Sequence, residues 1–268
     1  MSVPPDVAVS PFVLRQVSGG VATLTLNRGD RFNALSQAMI AALQAELDQI
    51  AADVSVRAVV IAGAGKGFCA GHDLKELRAH SAPTDAAWQQ EMFDACSRMM
   101  LSLMRLPQPV IARVHGIATA AGCQLVSMCD LAVAAEDARF ALPGVNVGVF
   151  CTTPAVGVAR NVARKRAMEM LLTGDTIDAR TALDWGLINR VVPAAELDAA
   201  VARFTDIIRQ RSAAVVALGK RAFYGQIERD IEGAYALAGG VMACNVLERD
   251  AREGIDAFLG KRAPIWKV

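Results

Sequence analysis

Three features of this 268-residue sequence predict an α/β fold with parallel strands. Short, almost continuously apolar runs at 57–62, 110–114 and 131–135 suit strands buried on both faces. Glycine-bearing turns follow the first two directly, and stretches with apolar residues at helical spacing separate the runs.

In chain order, residues 12–17 and 21–27 read as two strands around Ser18-Gly19-Gly20, a hairpin loop of suitable length. Ser36 is a good N-cap for a helix whose Met39, Ile40, Leu43, Leu47 and Ile50 recur at helical spacing. The buried run 57–62 leads into Gly63, Gly65, Gly67 and Gly71. A helix is expected at 88–106, stopped by Pro107 and Pro109. After the strand 110–114, the turn His115-Gly116 leads to a helix at 121–128 and then the strand 131–135. The uncharged stretch 140–159 contains Pro143, Gly144, Asn146, Gly148, Pro154 and Gly157, and reads as an irregular loop rather than a lipid-exposed span.

Beyond Val191-Val192-Pro193 only helices are expected, at 196–211, 212–222, 227–245 and 248–259. Residues 233–247 carry no charge on any face, so that helix is expected to be buried, the segment packing on the sheet domain and on a neighbouring copy of the chain. The implied division is an α/β core at 1–196 and a helical oligomerisation domain at 197–268.

Composition excludes several function classes. A formal net charge of +1 leaves no electrostatic footprint for a nucleic-acid backbone, and 5% aromatic residues make a poor base-stacking platform. The six cysteines never fall at C-x-x-C spacing, and His72, His80 and His115 do not cluster with them, so no metal site is expected. Residues 1–12, with Pro4, Pro5, Asp6 and Pro11, lack the basic and apolar pattern of a targeting segment; a cytoplasmic location and reduced thiols are expected.

Two loops could carry chemistry. The run from Gly63 to Asp73 fails as a phosphate loop, because Lys66 precedes Gly67 rather than Ser or Thr, and its glycines do not fit G-x-G-x-x-G. It reads either as a strand-to-helix turn needing glycine angles or as backbone left open to a ligand. The small-residue turn within the run from Val114 to Gln124 leaves the first N–H groups of a helix uncovered, a favourable place for negative charge, although tight helix packing demands the same residues. Donors from both loops together would form an oxyanion hole.

The succession of Asn27-Arg28, Phe68-Cys-Ala-Gly-His-Asp-Leu74, Ala121-Gly-Cys-Gln124, Cys129-Asp130, the Pro143 loop, Trp185-Gly-Leu-Ile-Asn-Arg-Val-Val-Pro193 and Phe258-Leu-Gly-Lys-Arg262 resembles the crotonase (enoyl-CoA hydratase/isomerase) superfamily over nearly the whole chain. More narrowly, Gly71-His-Asp-Leu-Lys-Glu-Leu77, Ala120-Ala-Gly-Cys-Gln-Leu125 and Pro143-Gly-Val-Asn-Val-Gly148 resemble its enoyl-CoA hydratase domain-containing protein 3 branch. The resemblance implies a crotonase-like spiral of repeated ββα units, a C-terminal helical trimerisation domain, and a homotrimer or dimer of trimers.

It further implies an acyl-CoA thioester as substrate, with no cofactor beyond the CoA moiety. The backbone N–H groups of His72 and Ala121 fall at the oxyanion hole. Arg28, Ala70, Asp73, Leu74, Lys75, Phe258 and Lys261 fall at CoA-contacting positions, with Lys75 and Lys261 as phosphate partners. The two glutamates that deliver water in family hydratases are replaced by Gln124 and Gly144, neither of which transfers a proton. Little ordinary enoyl-CoA hydration is therefore expected. The alternatives are enolate chemistry of another kind, such as isomerisation, decarboxylation or thioester hydrolysis, or a non-catalytic CoA-thioester-binding protein. A nicotinamide-binding enzyme is disfavoured by the failed glycine fingerprint.

Overall fold

The computed structural model describes residues 10–266; the N-terminal run with Pro4, Pro5 and Asp6 lies outside them. Strands β1 (Val13–Ser18) and β2 (Val21–Leu26) form the expected hairpin. Gly19 and Gly20 both take positive φ, 54° and 80°, as a two-residue loop whose twist matches the strands requires. Strands β3 (Ala58–Gly63), β4 (Val110–Val114), β6 (Leu131–Ala135) and β9 (Arg190–Val192) follow in parallel, giving a six-stranded sheet in the order β1-β2-β3-β4-β6-β9. Within this sheet only the β1–β2 hairpin pairing is antiparallel.

A second sheet was not legible in the sequence. Strands β5 (Ile117–Thr119), β7 (Arg139–Ala141) and β8 (Ile177–Asp178) pair in the order β5-β7-β8. With two or three residues each, they are too short to show a period of two. Together the sheets make the winding plain. After β4 the chain adds β5 and then helix α4 (Ala121–Met128); after β6 it adds β7 and then helix α5 (Thr152–Val158). The stretch 140–159 is thus not an irregular loop, since it holds part of β7, a 3-10 turn at Pro143–Val147 and α5. Its glycines and prolines sit at the junctions and in the short helical turns.

The main core lies between the large sheet and two helices. Helix α1 (Gln37–Ala52), capped by the Ser36 hydroxyl on Met39 N–H, buries Met39, Ile40, Leu43, Leu47 and Ile50. Beyond the short helix α2 (Leu74–Ala79), helix α3 (Ala86–Arg105) buries Met92, Cys96, Met99, Met100 and Leu103. Each such side chain removed from water contributes about 1.5–3 kcal/mol before entropy opposes it. Two further helices, α6 (Arg164–Thr173) and α7 (Ala179–Asp184), lead towards β9.

The C-terminal helices are α8 (Leu197–Arg209), α9 (Ala213–Gln226), α10 (Ile231–Asn245) and α11 (Arg249–Leu259). Helix α8 covers the other face of the sheet, packing Leu197 and Val201 on Val60, Ile111, Val133 and Ala135. Helix α9 is pinned by Lys220, whose ammonium meets Asp130 Oδ2 at 2.6 Å and donates to the carbonyls of Leu103 and Gln108. Tyr224 donates to the other Asp130 oxygen at 2.8 Å, and Val110 N–H to the same one as Lys220. Asp130 therefore has a structural role at the helix-to-strand junction.

The expectation that the uncharged helix is buried is not met within one chain. Helix α10 packs chiefly on α9, buries only Ala234, and leaves Ile231, Tyr235 and Met242 at 63–74% exposure. It lies outboard of α9 and does not reach the sheet core. No helix among the described residues is long and apolar enough to cross a membrane.

Candidate active site

The loop after β3 is held by a residue that sequence reasoning passed over. Asn33 is fully buried at φ 53°, and its Nδ2 donates to the carbonyls of Ala64, Gly67 and Phe68 at 2.9–3.1 Å. Its Oδ1 accepts from Arg28 N–H at 2.9 Å. Asparagine tolerates the left-handed region better than other side chains, and that property was the available signal. Gly63 makes room for it, since a Cβ there would stand 2.8 Å from Asn33 Nδ2.

This loop is clamped to the start of α4. Phe68 N–H and Cys69 N–H donate to the Ile117 carbonyl, Thr119 N–H donates to the Cys69 carbonyl, and the Thr119 hydroxyl donates to the Ala70 carbonyl, all at 3.0 Å. Two glycines set the spacing. A Cβ on Gly122 would stand 2.0 Å from the Cys69 carbonyl oxygen. Gly71, at φ 90°, would place one 2.9 Å from Thr119 O and 3.0 Å from Ala121 N. Ala120 sits at φ 49°, ψ −119°, a strained conformation for an L-residue costing about 1–3 kcal/mol.

The consequence concerns two donors. His72 follows Gly71, and Ala121 opens α4, so their backbones lie on adjacent segments. Neither N–H donates to a protein acceptor among the described residues. Every residue of α4 is buried, so the positive end of the helix acts in a poorly screened environment. Such a pair can stabilise an oxygen that becomes negative during reaction.

Around this pair the titratable groups are weak. Burial pushes the His72 imidazole down to about 4, so it is neutral near pH 7; its ring meets Phe93 edge-on at 5.1 Å. Gln124 lies one turn along α4 from Ala121 and is 4% exposed. Gly144, in the 3-10 turn, is crowded: a Cβ would stand 2.4 Å from Val149 O and 2.8 Å from Cys151 Sγ. The site has therefore closed over this position, and restoring a glutamate there meets backbone. Cys151 is buried and its thiol pKa raised by desolvation, while Asn146 and Thr152 are exposed.

The remaining site residues divide into two groups. Arg28, Asp73 and Lys75 line one cleft of about 610 Å³ with Phe12, Arg31 and Glu76. Arg28 stacks on Phe12 at 3.8 Å and donates to the carbonyls of Ser10, Pro11 and Asn27; Asp73 caps α2 by accepting from Lys75 and Glu76 N–H. Ala70 N–H is taken by the Phe32 carbonyl, and Leu74 is exposed at the start of α2. Phe258, 83% exposed, lines a different groove with Arg211, Ile255 and Trp266; Lys261 lies just beyond α11 at φ 51°. Within one chain these C-terminal residues do not share the cleft of Arg28 and Lys75. His115 reaches from its turn to the Gly65 carbonyl at 3.0 Å and supports the first loop.

The family model described as Enoyl-CoA hydratase/isomerase matches residues 16–268. The chain belongs to that family. Mouse (Mus musculus) enoyl-CoA hydratase domain-containing protein 3, mitochondrial, is 46% identical over 250 residues, covering 92% of this chain and 81% of that protein. The crystal structure of an enoyl-CoA hydratase from Mycobacterium smegmatis is 55% identical with a TM-score of 0.93, covering 96% and 99% of the two chains. That of human enoyl-CoA hydratase domain-containing protein 3 is 43% identical with a TM-score of 0.91, covering 95% and 100%. Both the superfamily and the branch indicated by the sequence motifs are thereby established, and with them acyl-CoA processing of the hydratase/isomerase kind.

One expectation is overturned by these relatives. The mouse, frog and human proteins are all named as mitochondrial, which points away from the cytoplasmic location expected from residues 1–12.

Proposed function

We propose that this chain binds an acyl-CoA thioester and stabilises its enolate through the backbone N–H groups of His72 and Ala121. The observation that carries the reading is the glycine-enforced contact of the 69–71 segment with α4, which sets two uncommitted donors on adjacent backbones. CoA would lie along the cleft of Arg28, Asp73 and Lys75, near Ala70 and Leu74, with Lys75 as a point charge for phosphate. Phe258 and Lys261 would reach CoA from a neighbouring copy in a homotrimer or dimer of trimers. The exposed apolar face of α10 supports such an assembly.

Ordinary hydration is weak on this reading. General acid or base groups supply about 10²- to 10⁴-fold each, and Gln124 and Gly144 provide none. The reaction is enolate chemistry without water addition. A second reading, thioester binding without turnover, is favoured by the neutral His72 and the raised Cys151 thiol, which leave no evident proton carrier.

Acetoacetyl-CoA tests the reading without knowledge of the natural substrate, because its enolate absorbs in the near ultraviolet. One good donor is worth about 3 kcal/mol, so the bound ligand should ionise about two pH units lower than free ligand. Binding with no change in ionisation would leave only the second reading, and no binding would refute both.

A further inference from the structure

Two cavities adjoin along helix α9, at the opposite end of the parallel strands from the candidate active site. One, of about 220 Å³, is lined by Val56, Arg57 and residues 107–109, which immediately precede β3 and β4. The 69–72 segment and Ala121 follow the other ends of those strands. The second cavity, of about 560 Å³, lies between the last turn of α3 and α9. Pro107 and Ala217 line both, so the two form one groove. Its walls are fixed, because Lys220 ties α9 to the carbonyls of Leu103 and Gln108 at 2.8 and 3.0 Å, and Tyr224 ties it to Asp130 at 2.8 Å. The groove is thus preformed, and its larger cavity has the size of a small-molecule site.

The two ends differ in chemistry. At the larger cavity the Arg105 and Arg221 side chains are exposed and have no hydrogen-bond or ion-pair partner among the described residues. No acidic residue among those described lines either cavity. Two guanidiniums on one cleft repel each other and favour an anion. Leu101, Met104 and Leu106 line the same cleft. The smaller cavity is apolar, lined by Val56, Pro109, Ile208 and Val216. Its polar side chains are engaged, Arg57 donating to the Arg211 carbonyl at 2.6 Å and Gln108 to the carbonyls of Ile50 and Asp53. A small hydrated anion would use the arginines and leave the apolar length of the groove wet. An alkylammonium would meet two like charges. A carboxylate matches the guanidinium fork, and an alkyl chain attached to it would pass Pro107 and Ala217 into the apolar cavity.

We propose that this groove binds a free fatty carboxylate, its head held by Arg105 and Arg221 and its chain lying along α9, past Ala217, into the smaller cavity. The site is separate from that of His72 and Ala121 and does not depend on the thioester reading. It selects the free acid, because a thioester group in the same place presents no charge to the two arginines.

Titration calorimetry on the full chain, with decanoate, butyrate and decyltrimethylammonium below their micelle concentrations, tests this. Decanoate should bind at least about tenfold more tightly than butyrate, because the chain is buried, and the ammonium should not bind. An Arg105→Gln, Arg221→Gln variant should bind decanoate at least about tenfold more weakly. Ala217→Leu, which narrows the junction of the two cavities, should weaken it by a similar factor, and gives an independent test where the arginine variant is not folded. Binding of acetoacetyl-CoA should be the same in the wild type and both variants. Absence of decanoate binding, or equal binding of decanoate and the ammonium, would overturn the proposal. Decanoate affinity that survives the arginine substitutions would overturn the assignment of the head, and affinity that survives Ala217→Leu would overturn the path of the chain. Loss of decanoate and acetoacetyl-CoA binding together would place the carboxylate in the thioester site and overturn a separate groove. Sedimentation with phosphatidylglycerol vesicles that depends on the two arginines, in a protein that does not bind decanoate, would assign them to a membrane surface instead.

Discussion

Replacing Gly122 by alanine should separate the two donors proposed to form the oxyanion hole, the N–H groups of His72 and Ala121, while adding one methyl group. The added Cβ would stand 2.0 Å from the Cys69 carbonyl oxygen and 2.7 Å from its carbon, both backbone atoms. Ordinary contact begins at 3.4 Å, so the segments must part by roughly 1.4 Å. Neither side gives easily, because the 68–70 segment is tied to 117–119 by four hydrogen bonds and α4 is buried along its length. Misplacement of about 1 Å can cost about 10²-fold, and removing one such donor costs about 10²- to 10³-fold. The assay is the ionisation of bound acetoacetyl-CoA as a function of pH. Gly122→Ala should raise its apparent pKa by about two units towards that of free ligand. Gly219→Ala, in exposed α9 with nothing within 4 Å of the added Cβ, serves as the control and should leave it unchanged. A folded Gly122→Ala protein with the wild-type titration would refute the argument that this contact aligns the donors.

Other outcomes follow from the same geometry. Lys220→Met leaves Asp130 without its cation and two carbonyls without their donor, and should lower unfolding free energy by about 3–5 kcal/mol in urea titration; a loss below about 1 kcal/mol would show the pair to be dispensable. Gly144→Glu should not create a hydratase even alongside Gln124→Glu, because its Cβ meets Val149 O at 2.4 Å; substantial crotonyl-CoA hydration by the double variant would show that the turn can open. The exposed face of α10 should be covered by other copies of the chain, so sedimentation equilibrium should give a mass three or six times 28.4 kDa, and Met242→Lys should shift it downward; a wild-type monomer would contradict this.

Much of the fold was legible because its signals are local and repeated. Ser36 caps α1 as its side-chain chemistry suggests, and the apolar runs at β3, β4 and β6 became the buried parallel strands. The small sheet was hidden because Ile117–Thr119 and Ile177–Asp178 are strands only by virtue of their neighbours. That α10 is not buried within one chain has a related reason. Lack of charge says that a surface will be covered, not that the same chain covers it.

The candidate site was legible in its backbone and less so in its side chains. Gly71, Ala121 and Gly122 stood out as small residues at turns, and their clamping is a short-range steric fact. Asn33 was missed because its work lies in three carbonyls 31–35 residues away. The crowding at Gly144 is likewise invisible in sequence, where a glycine in place of a glutamate looks like a simple deletion. That His72 Nε2 and Gln124 Oε1 are buried without a hydrogen-bond partner among the described residues emerges only once burial is known.

The central claim is that two backbone N–H groups, on His72 and Ala121, stabilise a thioester enolate. Its most direct measurement is the pH titration of enolate absorbance for acetoacetyl-CoA bound to the wild-type protein. An apparent pKa about two units or more below that of free ligand is the predicted result. A bound ligand that ionises at the same pH as free ligand would contradict it.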